Sequence, residues 1–219
     1  MMNANSVKKV ASFIWPVVTK VDSTRNGTLE ICWYNGKKML NSKNANYSYG
    51  KLEKALIFGL SQLRIDREAP ILILGLGGGS IIRPLRSKFA CTGMITAVEW
   101  DEVVLSLAQN EFGINSSLRV KKVCADAYLY VKDCKNKYGL VIVDLFIDTE
   151  VPEVFYSMEF WESIIPLVSG GGSILFNAGI DKRGDERIRK VKSFLKKVAA
   201  VRVLENVERN NTLLLAECD

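Results

Sequence analysis

Ile71-Leu72-Ile73-Leu74-Gly75-Leu76-Gly77-Gly78-Gly79-Ser80 is the stretch on which the reading of this chain turns. Four consecutive apolar residues suit a parallel strand buried on both faces. The glycines that follow let the backbone reach positive φ and approach a ligand closely. The helix expected after them offers unpaired N–H groups to a polar or anionic moiety. Pro84 is tolerated only in a helix's first turn, so that helix is expected to begin near Ile82 or Arg83 rather than at Ser80.

Downstream, strand and helix patterns alternate. Strands are expected over Met94 to Val98, Val120 to Val123 and Leu140 to Val143, ending at Glu99, near Asp126 and at Asp144. Asp101 can cap a helix carrying Val103, Val104 and Leu107, which Gly113 stops. A helix from about Met158 to Val168 should turn Met158, Trp161, Ile165 and Val168 inward. Gly170-Gly171-Gly172 should then turn the chain into a strand, Ser173 to Phe176. Two late runs, Val201 to Glu205 and Thr212 to Glu217, separated by Asn210-Asn211 and their neighbours, read as an antiparallel hairpin. This alternation predicts a doubly wound α/β sheet with one reversed strand.

Upstream the pattern differs. Gly27 to Tyr34 is strand-like, Asn35-Gly36 is a hairpin signal, and Lys37 to Leu40 returns. Residues 1–48 are therefore read as a small β unit. Residues 49–219 are read as the larger unit, entered through a helix with Leu52, Leu56, Leu60 and Leu63 on one face.

Composition narrows the chemistry. Apolar residues make up 48% of the 219 and charged residues 25%, as in globular proteins. No run approaches the roughly 18 apolar residues of a membrane helix, so no membrane partner is expected. The opening MMNANSVKKV does not read as a signal peptide. The five cysteines are odd in number and lack C-x-x-C spacing, which argues against a zinc site or disulfide framework and fits a cytoplasmic location. Histidine is absent. That removes His-dependent triads and H-E-x-x-H metal sites, so no metal is expected. Between Lys182 and Lys197 eight basic residues face two acids, an excess equal to the +6 of the whole chain. A nucleic-acid footprint is one reading of this stretch. A solvated helix face is preferred, because Ile188, Val191, Leu195 and Val198 form an apolar stripe behind it and only Phe194 interleaves with the charges.

In open α/β sheets ligands bind beyond the carboxyl ends of the strands. Glu99 follows Gly79 by 20 residues, the offset at which an acid accepts hydrogen bonds from ribose hydroxyls. That reading does not separate nicotinamide cofactors from sulfonium ones. Asp126, in Ala125-Asp126-Ala127, can accept an adenine amino group, and Trp100 can cover one face of the base.

The segments ILILGLGGGSIIRPL, AVEWD, CADA and YGLVIVDLFID, in this order and spacing, resemble the spermidine synthase family and its methyltransferase-like relatives. The resemblance implies a Rossmann-like, seven-stranded methyltransferase sheet with a terminal antiparallel hairpin, behind a small N-terminal β unit. It implies S-adenosylmethionine or its decarboxylated form as cofactor, a small-molecule substrate and a homodimer. On it, Gly75, Gly77, Gly78, Gly79, Glu99, Trp100, Asp126 and Ala127 are the cofactor-binding set, Asp144 the catalytic acid, and Tyr49 and Asp148 substrate-side residues.

The departures share a direction. The family's acid within its glycine run is Gly78 here. Its Tyr-His pair falls at Tyr49-Gly50, and its Asp-Ser-Ser-Asp motif reads Asp144-Leu145-Phe146-Ile147, with Asp148 one place off. Polyamines carry several positive charges and need carboxylates. An acid at Gly78 would repel the carboxylate of S-adenosylmethionine. The expected function is thus methyl transfer from S-adenosylmethionine to a small acceptor. Aminopropyl transfer and a non-catalytic adenosyl-binding role are the alternatives.

Overall fold

The computed structural model describes residues 4–42, 46–48, 50–208 and 210–219. After a short helix α1 (Ala4–Ala11), four strands form an antiparallel sheet in chain order: β1 (Val17–Ser23), β2 (Gly27–Tyr34), β3 (Lys37–Asn41) and β4 (Asn46–Ser48). Asn35 and Gly36 both have positive φ at the β2–β3 turn, as the Asn-Gly signal requires. Helix α2 (Lys51–Leu60) leads away, and Leu56 and Leu60 are buried; Leu63 lies beyond its end.

The second sheet has seven strands. They are β5 (Ile71–Leu74), β6 (Ile95–Glu99), β7 (Val120–Cys124), β8 (Tyr138–Val143), β9 (Val168–Ile180), β10 (Ala199–Val207) and β11 (Asn211–Cys218), in the spatial order β10-β11-β9-β8-β5-β6-β7. Every residue of β5 and β8 is buried, which is why neither alternates. Strands β5 to β9 pair in parallel, and β11 alone is reversed, antiparallel to both β9 and β10. The Rossmann-like, methyltransferase-type sheet with its terminal hairpin is thus the observed architecture. One core packs α2, α3 (Ile82–Ser87) and α4 (Glu102–Asn110) on one sheet face; the other packs α5 (Ala127–Asp133), α6 (Met158–Ile164) and α7 (Glu186–Leu195) on the opposite face. Among the described residues no helix is long and apolar enough to cross a membrane.

Three expectations are corrected. Gly170 to Gly172 do not turn the chain: they lie inside the 13-residue strand β9, where the pairing with β8 shifts register. Tyr138 pairs with Val168 and Leu140 with Ser173, so residues 169–172 bulge out of the ladder, and Gly171 takes φ 73° there. Helix α6 buries Phe160, Trp161 and Ile164, while Met158 and Ile165 are only partly buried. Pro166 cannot donate a helical hydrogen bond, so the chain tightens into a 3-10 turn at Ile165–Leu167 and Val168 starts β9. Val198 lies past the end of α7 and is 44% exposed, whereas Ile188, Val191 and Leu195 are buried as expected.

Candidate functional site

Strand order reverses between β5 and β8, and a crevice opens there at their carboxyl ends. It holds a cavity of about 710 Å³, within the usual range of small-ligand sites. Its wall includes Gly75, Gly77, Glu99, Trp100, Asp126, Ala127, Asp144 and Asp148, so most residues singled out from the sequence meet in one place.

Gly75 leaves β5 with φ 89°. A Cβ there would stand 2.0 Å from the carbonyl oxygen of Asp144, so the close approach of β5 and β8 excludes any side chain. Gly77 also lines the cavity. Gly78 and Gly79 do not: both are buried behind the turn, Gly79 against Ile114. Helix α3 starts at Ile82 and places Pro84 in its first turn, as expected.

Glu99 ends β6 and is 6% exposed. Its Oε2 accepts from Gly77 N at 3.1 Å, and its Oε1 accepts from Trp100 N at 3.0 Å and Asp101 N at 3.3 Å. Burial nevertheless pushes its carboxyl up to about 6, outweighing these three donors. Asp126 caps α5, its Oδ1 accepting from Leu129 N at 3.0 Å, and its side chain is exposed at the cavity edge. Trp100 borders the cavity and carries the Arg25 guanidinium over its ring, 5.2 Å from the centroid.

Asp144 follows β8. Burial raises its carboxyl to about 6, against the lowering effect of Asn177. Asn177 is fully buried in β9 and donates from Nδ2 to Asp144 Oδ1 at 2.9 Å. Its own Oδ1 accepts from Gly179 N at 3.4 Å. The sequence reading missed this positioning amide. The available signal was a lone amide in the apolar run Ile174-Leu175-Phe176-Asn177, one residue past the Val143–Phe176 pair and so level with Asp144. Asp148 adopts φ 52°, a strained conformation for a residue other than glycine, and Ser42 donates to its Oδ1 at 2.9 Å. The cavity wall therefore recovers an acid that the motif comparison counts as displaced. Leu145, Phe146, Pro152, Val154, Phe155 and Ile180 make the intervening wall apolar. Glu208 reaches the cavity from the β10–β11 turn, which no sequence pattern signalled. Tyr49 lies outside the described residues.

The basic stretch sits far less freely than its composition suggests. Lys182 pairs with Glu150, Arg183 with Glu205, Arg187 with Asp185 and Glu153, and Lys190 with Glu186. Among the described residues no group of three His, Cys, Asp or Glu is arranged to hold a metal.

A buried acid able to take ribose hydroxyls, a glycine turn open to close approach, and a cavity of this size fit an adenosyl group. Residues 50–207 match the spermine/spermidine synthase domain model. A polyamine aminopropyltransferase 2 from Hyperthermus butylicus is 28% identical over 115 residues, covering 49% of this chain and 37% of that protein. The chain thus spans less than half the length of the curated relatives it matches. Among solved structures, human methyltransferase-like protein 13 in complex with SAH superposes with a TM-score of 0.63 at 24% identity, over 78% of this chain and 83% of that one. A probable spermidine synthase from Corynebacterium glutamicum gives the same TM-score at 19% identity, over 93% and 77%. At these identities the structural likeness shows the fold.

Proposed function

The chain belongs to the spermine/spermidine synthase family, and from that premise we propose that it transfers a methyl group from S-adenosylmethionine to a small amine. The observation that carries this reading is the joint presence of Glu99 and Asp144, two burial-strained carboxylates, on one cavity wall beside the Gly75–Gly77 turn. When bound, the sulfonium supplies the electrophilic carbon. Glu99 holds the ribose, Trp100 and Asp126 border the adenine, and Gly75 and Gly77 admit the cofactor close to the backbone. Asp144, fixed by Asn177, orients the acceptor amine and balances the positive charge that passes to it from the sulfonium as the thioether leaves. Such a reaction is accelerated chiefly by alignment, and Asn177 gives Asp144 one orientation. The preference for S-adenosylmethionine rests on Gly78, which adds no negative charge to the turn, and on Leu145 and Phe146.

A second reading, aminopropyl transfer from the decarboxylated cofactor, draws on the names of the relatives and on Asp148, which shares the cavity wall with Asp144. Calorimetric titration separates the two. Tighter binding of S-adenosylmethionine than of its decarboxylated form supports methyl transfer. The reverse order supports aminopropyl transfer, and failure of both together with methylthioadenosine removes the adenosyl reading.

A further inference from the structure

The N-terminal sheet touches the adenosyl side of the cavity through one helix. Asp101 is 2% exposed and does two jobs. Its Oδ1 accepts from Val103 N at 2.8 Å and so caps α4. Its Oδ2 accepts from the Ser23 hydroxyl at the end of β1 and from Asn26 Nδ2 in the turn between β1 and β2, the latter at 2.5 Å. The same turn carries Arg25, whose guanidinium covers the Trp100 ring. Ser23 Oγ also accepts from Arg25 N at 3.1 Å and Asn26 N at 3.2 Å, so the turn is braced from within. The clasped pair, Trp100 and Asp101, are the residues whose backbone N–H groups hold Glu99 Oε1. At the opposite end of α4, Lys38 of β3 donates to the Glu111 carbonyl at 3.0 Å and pairs with its carboxylate at 2.8 Å.

We propose that Arg25 and Asn26, in the β1–β2 turn, are positioning residues for the adenosyl ligand: by clasping Trp100 and Asp101 they fix the ribose acid Glu99 and the adenine-side ring. The proposal rests on the adenosyl reading of the cavity. Neither residue lines the cavity, so they act through their neighbours. The contact joins segments about 75 residues apart in sequence, and it makes the small sheet part of the cofactor site. Without the Asn26 amide, Asp101 Oδ2 keeps only the Ser23 hydroxyl, and the turn of backbone that holds Glu99 is held less firmly. Losing a hydrogen bond to a charged group changes an equilibrium by about tenfold or more.

The test is calorimetric titration of the full chain with S-adenosylhomocysteine, paired with thermal melts. Asn26→Ala and Arg25→Ala are expected to weaken binding about tenfold. Asn26→Asp, which sets a second negative charge against Asp101, should weaken it further, and Arg25→Lys should keep most of the affinity. Lys38→Met loosens the far end of α4 and should lower the melting temperature with Kd unchanged. The proposal is overturned if Asn26→Ala and Arg25→Ala alter melting alone, or if Lys38→Met weakens binding as much as they do. Arg25 is exposed, so its variants keep the question answerable should Asn26→Ala fold poorly. No binding to the unmodified chain would overturn the adenosyl reading and this inference with it.

Discussion

Replacing Asp144 by Asn should stabilise the ligand-free protein at neutral pH while removing its function. The carboxyl of Asp144 sits in surroundings that raise it from the ordinary aspartate range to about 6. A proton is therefore held more tightly in the folded chain than in the unfolded one. Stability from this group is complete below about pH 4 and is lost as pH rises through 6. The shift is about two units, and each unit is worth about 1.4 kcal/mol. Solvent entering through the cavity screens part of this, leaving about 1–3 kcal/mol. The amide oxygen that Asp144→Asn introduces would still accept from Asn177 Nδ2, so the buried partner keeps its bond. Thermal melts should show the variant about 3–8 °C more stable than the parent at pH 8. At pH 4 the two should melt together. Equal gains at both pH values, or no gain at pH 8, would show that Asp144 carries no burial strain and would sink its role as the acid poised for a cation.

Three further outcomes are expected. Asn177→Leu removes the donor that holds Asp144 down, so the acid limb of S-adenosylmethionine binding between pH 5 and 8 should move up by about one unit; an unmoved limb would separate the two residues functionally. Gly75→Ala puts a Cβ 2.0 Å from a backbone carbonyl and should cost more than about 3 kcal/mol in denaturant unfolding. Gly184→Ala, also at positive φ but in open space, should cost only about 1 kcal/mol, and equal losses would deny the β5–β8 clash. Reversing Lys192, Lys196 and Lys197 to Glu should leave RNA retention on filters unchanged, since the face is read as solvated; a sharp drop from a retained parent would establish it as a nucleic-acid surface.

Much of the fold was legible because its signals are local. The apolar run of β5, the glycines after it and Pro84 fix a strand, turn and helix within a few residues of one another. The acids Glu99, Asp126 and Asp144 could be placed because each ends a strand, and strand ends converge in this sheet. What escaped was set by partners distant in sequence. Gly170 to Gly172 look like a turn until β8 pairs with Val168 before them and with Ser173 after them, which makes them a bulge within one strand. Asn177 looks like an isolated polar residue until β8 and β9 are in register. Asp101 was readable as a helix cap through Val103, but the second oxygen's bonds to Ser23 and Asn26 follow only from how the two sheets meet. Gly78 is the instructive case. Its motif position marked it as a cofactor contact, yet the turn buries it behind Gly77, so its influence is the charge it omits.

The same geometry bears on why a chain with a net charge of +6 should keep carboxylates at its cavity. Glu99 and Asp144 are both raised to about 6 by burial, and each is relieved by a different feature of the proposed ligand. Ribose hydroxyls donate to Glu99 and favour its ionised form. A positive sulfonium or amine near Asp144 does the same by Coulomb attraction. On transfer the positive charge passes from the sulfonium to the methylated amine, which relieves Asp144 until it departs, while the neutral thioether left behind relieves only Glu99. Once that charged amine has left, Asp144 is unrelieved, and the neutral thioether is held less tightly than the sulfonium it replaces. An apolar wall of Leu145, Phe146 and Phe155 strengthens that asymmetry, since it excludes the water that would otherwise screen Asp144. On this reading the burial strain at Asp144, kept at the expense of apo stability, favours the charged donor over the neutral thioether once the charged amine has left.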